Sequence, residues 1–276
     1  MSAYELFIGL RYTRAKRRNH FISFISLISL LGITLGMTAL ITVMSVMNGF
    51  QKEVRTRILG VASHVQVSGV EGTLTNWRQV ADETIKHPQV EAAAPYVGAQ
   101  GMVSYGQVVR GVMVRGILPD LEEKVADLAR MMVNGELDEL VPGEFGIVVG
   151  MELARALGVS RGDKIVLISP QGQVTPAGIL PRLKQFTVTG IFEAGHFEYD
   201  SALVLIHLVD AQKLYRMEDG QVSGVRLKLR DLFQAPQVVR ELVPIISQNT
   251  HISDWTRQHA NYFRAIQIEK RMLTLI

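Results

Sequence analysis

Hydrophobic positions fall unevenly along the chain. Residues 21–47, FISFISLISLLGITLGMTALITVMSVM, contain no Asp, Glu, Lys, Arg or His. A helix of that length rises ~40 Å, more than the ~30 Å of a bilayer's hydrocarbon core, so the block predicts one transmembrane helix. A cleavable signal has an apolar region of only about 7–15 residues and a small-x-small cleavage site. Neither precedes Asn48-Gly49, so the block is expected to be an anchor. Beyond it, from 48 to about 253, no apolar run approaches spanning length, and the pattern alternates between strand and helix periods.

Strands are predicted over 64–68, 146–150, 164–169, 184–192, 202–206 and 223–229, with two β-rich runs inside 101–117 around Tyr105-Gly106. Helices are predicted over 77–86, 121–132, 152–157 (stopped by Gly158), 209–215 and 232–243. Strands outnumber helices without a regular βαβ alternation, which indicates an α+β body. Ser253 is placed to cap a last helix from Asp254, with His259, Tyr262, Phe263 and Ile266 on one side. Arg271-Met-Leu-Thr-Leu-Ile276 then reads as the first turn of a second span.

Composition and charge refine this division. Of 276 residues 47% are hydrophobic, but much of that excess sits in the one apolar block, so the average describes no single part. There is no cysteine, which removes disulfides, thiolate metal sites and cysteine nucleophiles. The net charge of +3 is gathered near the start: Arg11, Arg14, Lys16, Arg17 and Arg18 stand before the span against Glu5, while Lys52, Arg55 and Arg57 follow it with Glu53 among them. The positive-inside rule therefore places the N-terminus in the cytoplasm. Ala3, Leu6, Phe7 and Leu10 recur at helical spacing beside Arg11 and Arg14, which suits either a short interfacial helix or a plain basic flank.

Two features point to partners. In the span, Ser29, Gly32 and Gly36 form a small-residue face that lets another helix approach, and Thr34, Thr38 and Thr42 form a weakly polar stripe. A lone tether needs neither, so a helix within a bundle is expected, with Met37, Met44 and Met47 adding adaptable apolar surface. In the body, twelve residues from Pro170 to Pro181 separate two predicted strands, where hairpin loops usually have two to five. Three prolines and two glycines make this loop stiff without making it a strand. Val174, Ile179 and Leu180 would be exposed on it, with Arg182 and Lys184 at its base to attract an acidic partner or to serve as solvated edge charges.

Catalytic patterns are poor. Gly158-Val-Ser160-Arg-Gly162 matches GxSxG, but the nucleophile elbow requires strand, serine, helix, and the order here is helix, turn, strand. Glu193, His196, Glu198 and Asp200 crowd one segment that reads more simply as a polar hairpin turn than as a metal site. There is no GxxxxGK[ST] phosphate loop and no basic-aromatic interleaving for nucleic acid. No metal, cofactor or catalytic residue is assigned.

The segments Leu6-Phe-Ile-Gly-Leu-Arg-Tyr12, Gly32-Ile-Thr-Leu-Gly36, Ser45-Val-Met-Asn-Gly-Phe50 and Arg57-Ile-Leu-Gly60 resemble the amino-terminal signature of the LolC/LolE lipoprotein-releasing permease family. Ala94-Pro-Tyr-Val97, Val114-Arg-Gly-Ile117, Ile147-Val-Val-Gly150 and Gly158-Val-Ser-Arg-Gly-Asp163 extend the likeness over essentially the whole chain. Leu74-Thr-Asn-Trp-Arg78 and Glu91-Ala-Ala-Ala-Pro-Tyr96 look closer to the LolE branch, and Thr175-Pro-Ala-Gly178 to the LolC branch; a LolF-like subunit would reconcile them.

The resemblance implies a non-catalytic subunit of an ABC-type complex in a Gram-negative inner membrane. Its partners would be a LolD-type ATPase, a second LolC/LolE-type permease, membrane lipid, a triacylated lipoprotein and a LolA-type periplasmic chaperone. It implies cytoplasmic residues 1–20, a transmembrane helix over 21–47, and a periplasmic MacB-like core domain over 48–260 with a porter-like part and an inserted β-rich Sabre lobe. Residues 261–276 would lead into a second span. Leu40, Val43, Met44 and Met47 are expected to line the lipoprotein cavity. Val174, Thr175, Pro176, Ala177, Gly178 and Ile179 would form the chaperone hook, with Arg182 and Lys184 as its base charges. Family members continue with three more spans and a cytoplasmic helix that engages the ATPase, so this stretch alone is expected not to couple to ATP. A MacB- or FtsX-like mechanotransmission permease with another substrate is the alternative, and a singly anchored periplasmic enzyme a more distant one.

Overall fold

The computed structural model describes residues 4, 7, 8, 11, 20–59, 61, 63–175, 178–246 and 249–258. Ala3, Leu6 and Leu10 of the interfacial reading, the hook residues Pro176 and Ala177, and the helix and second span expected over 259–276 lie outside them. The chain divides into two units, Met1–Val54 and Arg55–Ile276.

The first unit is dominated by helix α1, His20–Leu59. Its stretch Phe24–Met47 is long and apolar enough to cross a membrane, about 36 Å at the α-helical rise. The helix does not stop at Asn48-Gly49, because Gln51, Lys52, Glu53, Arg55 and Arg57 are good helix formers that outweigh one glycine. The threonine stripe is satisfied within α1: Thr34, Thr38 and Thr42 each donate to the carbonyl four residues back, at 2.8, 2.7 and 2.8 Å. Each hydroxyl proton is thus used within the helix, and only the oxygen lone pairs are left for a neighbour.

The second unit is built on ten strands: β1 (Val65–Gly69), β2 (Val90–Tyr105), β3 (Val108–Ile117), β4 (Met132–Asn134), β5 (Gly146–Gly150), β6 (Lys164–Thr175), β7 (Gly178–Phe192), β8 (Leu203–His207), β9 (Gly224–Leu229) and β10 (Thr250–Asp254). Pairing runs from β2 to β3, β8, β5, β7, β6 and back to β2, closing a ring of six strands. Closure removes open edges where the ring is complete. Outside it, β9, β1 and β10 extend from β2, and β4 pairs with β7. The β3–β8 and β5–β7 pairs are parallel, the rest antiparallel.

Helices fill the connections: α2 (Trp77–Ile85), α3 (Pro119–Val125), α4 (Met151–Leu157), α5 (Phe197–Ala202), α6 (Leu208–Tyr215), α7 (Ala235–Leu242) and α8 (Trp255–Gln258). The main core joins Val103, Val112, Ile165, Leu167, Phe186 and Val204 to apolar positions of α2, α4, α6 and α7. A smaller core on the other face packs Val148, Phe192, Leu203 and Leu205 under Leu128, Leu137, Leu140 and Val61. With both faces covered, β5 and β8 are buried at every residue, as continuous apolar runs require.

Several elements differ from the sequence expectation. Residues 90–100 continue β2, because Ala93, Ala94 and Val97 are buried between β9 and β3 and tertiary pairing overrides their weak strand propensity. The helix expected over 121–132 ends at Val125 and gives way to a 3₁₀ turn at Leu128–Met131 and to β4. Ser253 is a strand residue. The cap is Asp254, whose Oδ1 accepts from the Thr256 N–H at 2.8 Å and from its hydroxyl.

Candidate functional site

The segment expected to be a loop is a two-stranded arm. Strands β6 and β7 pair from Lys164↔Thr187 to Ser169↔Arg182, and again from Gln173↔Leu180 to Thr175↔Gly178. Between the two stretches the register shifts by two residues. Pro170 and Pro181 stand exposed at that break, where a residue without an N–H costs no ladder bond. Strand β6 pairs with β2 only through Val166, Leu167 and Ile168, so from Ser169 outward β6 and β7 pair with each other alone. Six residues of strand carry the arm ~20 Å beyond that point. Val174 faces Ile179 in the ladder and Thr175 faces Gly178, so these four of the predicted hook residues sit at the far end of the paired strands.

Both expected base charges are engaged with the body. Arg182 donates from Nη1 to the carbonyl of Leu214 in the last turn of α6, at 3.2 Å. Lys184 holds its ammonium 3.8 Å above the centre of the Phe145 ring, a cation–π contact, and Lys213 lies 6.0 Å from the same ring. Phe145 meets Phe186 edge to face at 5.5 Å and has φ +54, a strained backbone for a bulky residue. The buried carboxylate of Asp210 holds this bend by accepting from the N–H groups of Gly143 (2.8 Å) and Phe145 (3.2 Å). Phe145, Lys213 and Asp210 escaped the sequence reading, since none shares a motif with the arm.

In α1, at 100° per residue, Ser29, Gly32, Gly36, Leu40, Val43, Met44 and Met47 all fall within about 60° of one line. Small residues occupy its N-terminal half and large apolar ones its C-terminal half. The threonine stripe lies opposite. A Cβ added at Gly32 or Gly36 meets nothing within 4 Å.

The catalytic patterns resolve into structural turns. Gly158, φ +73, ends α4, where a left-handed residue closes the last turn. The Ser160 N–H donates to Asp163 Oδ2 at 2.8 Å, and β6 follows rather than precedes the serine. The 193–200 segment is not a hairpin turn, since β7 and β8 flank β5 and do not pair. It folds around buried Asp200, which accepts from the N–H groups of Ala194 (2.6 Å) and Gly195 (3.0 Å).

An apolar helix of spanning length and a mixed α/β body carrying a projecting arm together define a class of membrane-attached domain. The family model of the MacB-like periplasmic core domain matches residues 26–245, and the chain belongs to that family. Within it, the chain is similar from end to end to named lipoprotein-release proteins. It is 47% identical over its full length to the lipoprotein-releasing system transmembrane protein LolC of Neisseria meningitidis, covering 66% of that protein. It is 45% identical over 98% of its length to LolC of Xylella fastidiosa, covering 64% of it. It is 29% identical over 97% of its length to LolE of Haemophilus influenzae, covering 65% of it. The chain thus spans just under two thirds of these relatives, and it carries the LolC/LolE amino-terminal pattern.

Proposed function

We propose that this chain forms part of the transmembrane subunit of an ABC-type complex that extracts lipoproteins from the inner membrane and hands them to a periplasmic chaperone. The observation that carries this reading is the 47% identity to LolC over the whole chain, helix and body together. The subunit is non-catalytic, and a separate LolD-type ATPase supplies the energy. A second LolC/LolE-type permease subunit completes the transmembrane part, the substrate is a triacylated lipoprotein, and the acceptor is a LolA-type chaperone. The basic residues before α1 support a cytoplasmic N-terminus and a periplasmic body.

The face of α1 divides this work. Ser29, Gly32 and Gly36 admit a neighbouring helix, and Leu40, Val43, Met44 and Met47 offer apolar wall to the acyl chains. The segment 170–181 is the hook, and Val174, Thr175, Pro176, Ala177, Gly178 and Ile179 are its chaperone-binding residues. Lys184, held over Phe145, and Arg182 supply positive charge at its base, and Lys213, 6.0 Å from the same ring, joins them in this reading. Photo-crosslinkers at Val174 or Ile179 should capture the chaperone, and one at Met44 should capture lipoprotein. Absence of both adducts from an active complex would remove these assignments. Depletion of the subunit, followed by complementation with its full-length form, separates this reading from a mechanotransmission permease with another cargo.

A further inference from the structure

The body also buries a pair of opposite charges. Arg226 of β9 and Glu122 of α3 are both fully buried and form an ion pair through Arg226 Nη1. Arg226 Nη2 donates to the main-chain carbonyl of Val61 at 2.6 Å, and Arg115 Nη1 of β3 donates to the same carbonyl at 3.3 Å. In the register Arg226 faces Ala94 and Arg115 faces Gly98. Those β2 positions are an even number apart, so both arginines stand on one face. Val61 is itself fully buried in the smaller core beside Ile117 and Leu128, and it is the second residue after α1 ends at Leu59.

A structural ion pair does not by itself account for this arrangement. Two guanidinium groups, Arg226 fully buried and Arg115 half-buried, share the field of one fully buried carboxylate. Burial first, and then the charge of Arg226, pushes Arg115 down to about 10, with Glu122, Tyr199 and Tyr96 opposing. Burial likewise raises Tyr96 and Tyr199, against the pull of both arginines. An apolar pair of similar volume would hold α3 to the sheet about as well. It could not grip a main-chain carbonyl. Arginine's planar fork can hold a carboxylate and a carbonyl at once, which a lysine's single ammonium does far less well.

We propose that Arg226, oriented by Glu122 and seconded by Arg115, is a positioning residue that ties the chain at Val61 to the sheet. Movement entering the body from α1 then reaches the strands and is not taken up as slack in the connection. This rests on the transport reading above, in which ATP is hydrolysed in another subunit and its work must reach this body through membrane-embedded chain.

The test uses the complete complex in proteoliposomes carrying a lipoprotein, with the chaperone outside. Lipoprotein released and phosphate produced are measured together. Arg226→Lys and the double variant Glu122→Met/Arg226→Met should assemble and hydrolyse ATP, yet consume at least about fivefold more ATP per lipoprotein released. Val148→Ala in the same smaller core serves as the stability control, and it should lower yield while leaving that ratio unchanged. Hydrogen exchange of peptides spanning residues 61–64 should quicken about tenfold or more in Arg226→Lys and not in Val148→Ala. An unchanged ratio in the arginine variants, or an equal change in Val148→Ala, overturns the proposal. Should the unmodified complex release no lipoprotein, the transport reading fails instead. The exchange rate then decides the anchor alone: faster exchange supports it and unchanged exchange removes it.

Discussion

Replacing Glu122 by alanine isolates the worth of the buried charge at the centre of the body. The carboxylate and the Arg226 guanidinium are both inaccessible, so its removal leaves Arg226 buried with the Val61 carbonyl as its remaining partner and the like charge of Arg115 beside it. Deleting one member of a buried pair costs about 3–5 kcal/mol. In a body of roughly two hundred residues each kcal/mol moves Tm by about 2–4 °C, so the expected fall is roughly 6–20 °C. Glu139→Ala is the reference: its 2.6 Å pair with Arg161 is half exposed, and such pairs are worth about 0–1 kcal/mol. Glu122→Met/Arg226→Met removes both charges and leaves Arg115 on the Val61 carbonyl, so it should be more stable than Glu122→Ala by about 2 kcal/mol. Tryptophan fluorescence of the full chain in detergent reads the transition, because Trp77 and Trp255, the chain's two tryptophans, are buried in the body. The reasoning fails if Glu122→Ala melts within 2 °C of Glu139→Ala, or if the double variant melts no higher than the single one.

Three further outcomes are expected. Asp210→Ala strips the acceptor from the N–H groups of Gly143 and Phe145 and should cost about 2–4 kcal/mol, seen as a lower urea midpoint at unchanged slope. His207 caps α6 by accepting from the Val209 N–H at 3.2 Å, which requires a neutral ring, and burial lowers its pKa with Asp210 opposing. The unfolded chain therefore takes up this proton first. The His207 contribution should be complete above about pH 6.5 and should decline as pH falls from there through the lowered folded value. His207→Asn, a non-titrating cap, should abolish that decline in equilibrium unfolding followed from pH 7.5 to 5. In α1, Gly32→Leu and Gly36→Leu should reduce co-purification of the partner permease several-fold, whereas replacing Thr34, Thr38 and Thr42 by valine should not, because those hydroxyls already bond within the helix.

Different parts of this molecule were legible in the sequence to different degrees. The uncharged run is a one-dimensional signal, and a helix long and apolar enough to cross a membrane forms over Phe24–Met47, although it continues to Leu59. The buried strands at Gly146–Gly150 and Leu203–His207 announce themselves as short apolar runs. Residues 90–100 do not, since alanines and Pro95 carry little strand preference and their conformation is set by β9 and β3 on either side. The closed ring was beyond reach, because it depends on pairs such as Met102↔Ile168 that connect distant segments. Arg226 is the clearest case. In Val225-Arg226-Leu227-Lys228 the alternation marks it as outward-facing, and so it is, but Val61 and α3 cover that face and make it interior. At the arm, composition marked an unusual segment and its flanking charges, but not that its two sides pair as strands. It gave no sign that Phe145 would sit beneath Lys184, since that contact needs a strained residue from another loop.

The central claim is that this body and helix serve lipoprotein release. The full-length subunit, with its ATPase and partner permease, should be placed in proteoliposomes containing a fluorescent triacylated lipoprotein, and LolA-type chaperone added outside with ATP. The account predicts that lipoprotein appears in the soluble fraction bound to the chaperone, dependent on ATP, and that replacing the hook residues Thr175 and Pro176 by glycine reduces transfer at least tenfold while ATP hydrolysis continues. Lipoprotein retained in the membrane by an assembled, ATP-hydrolysing complex would contradict it.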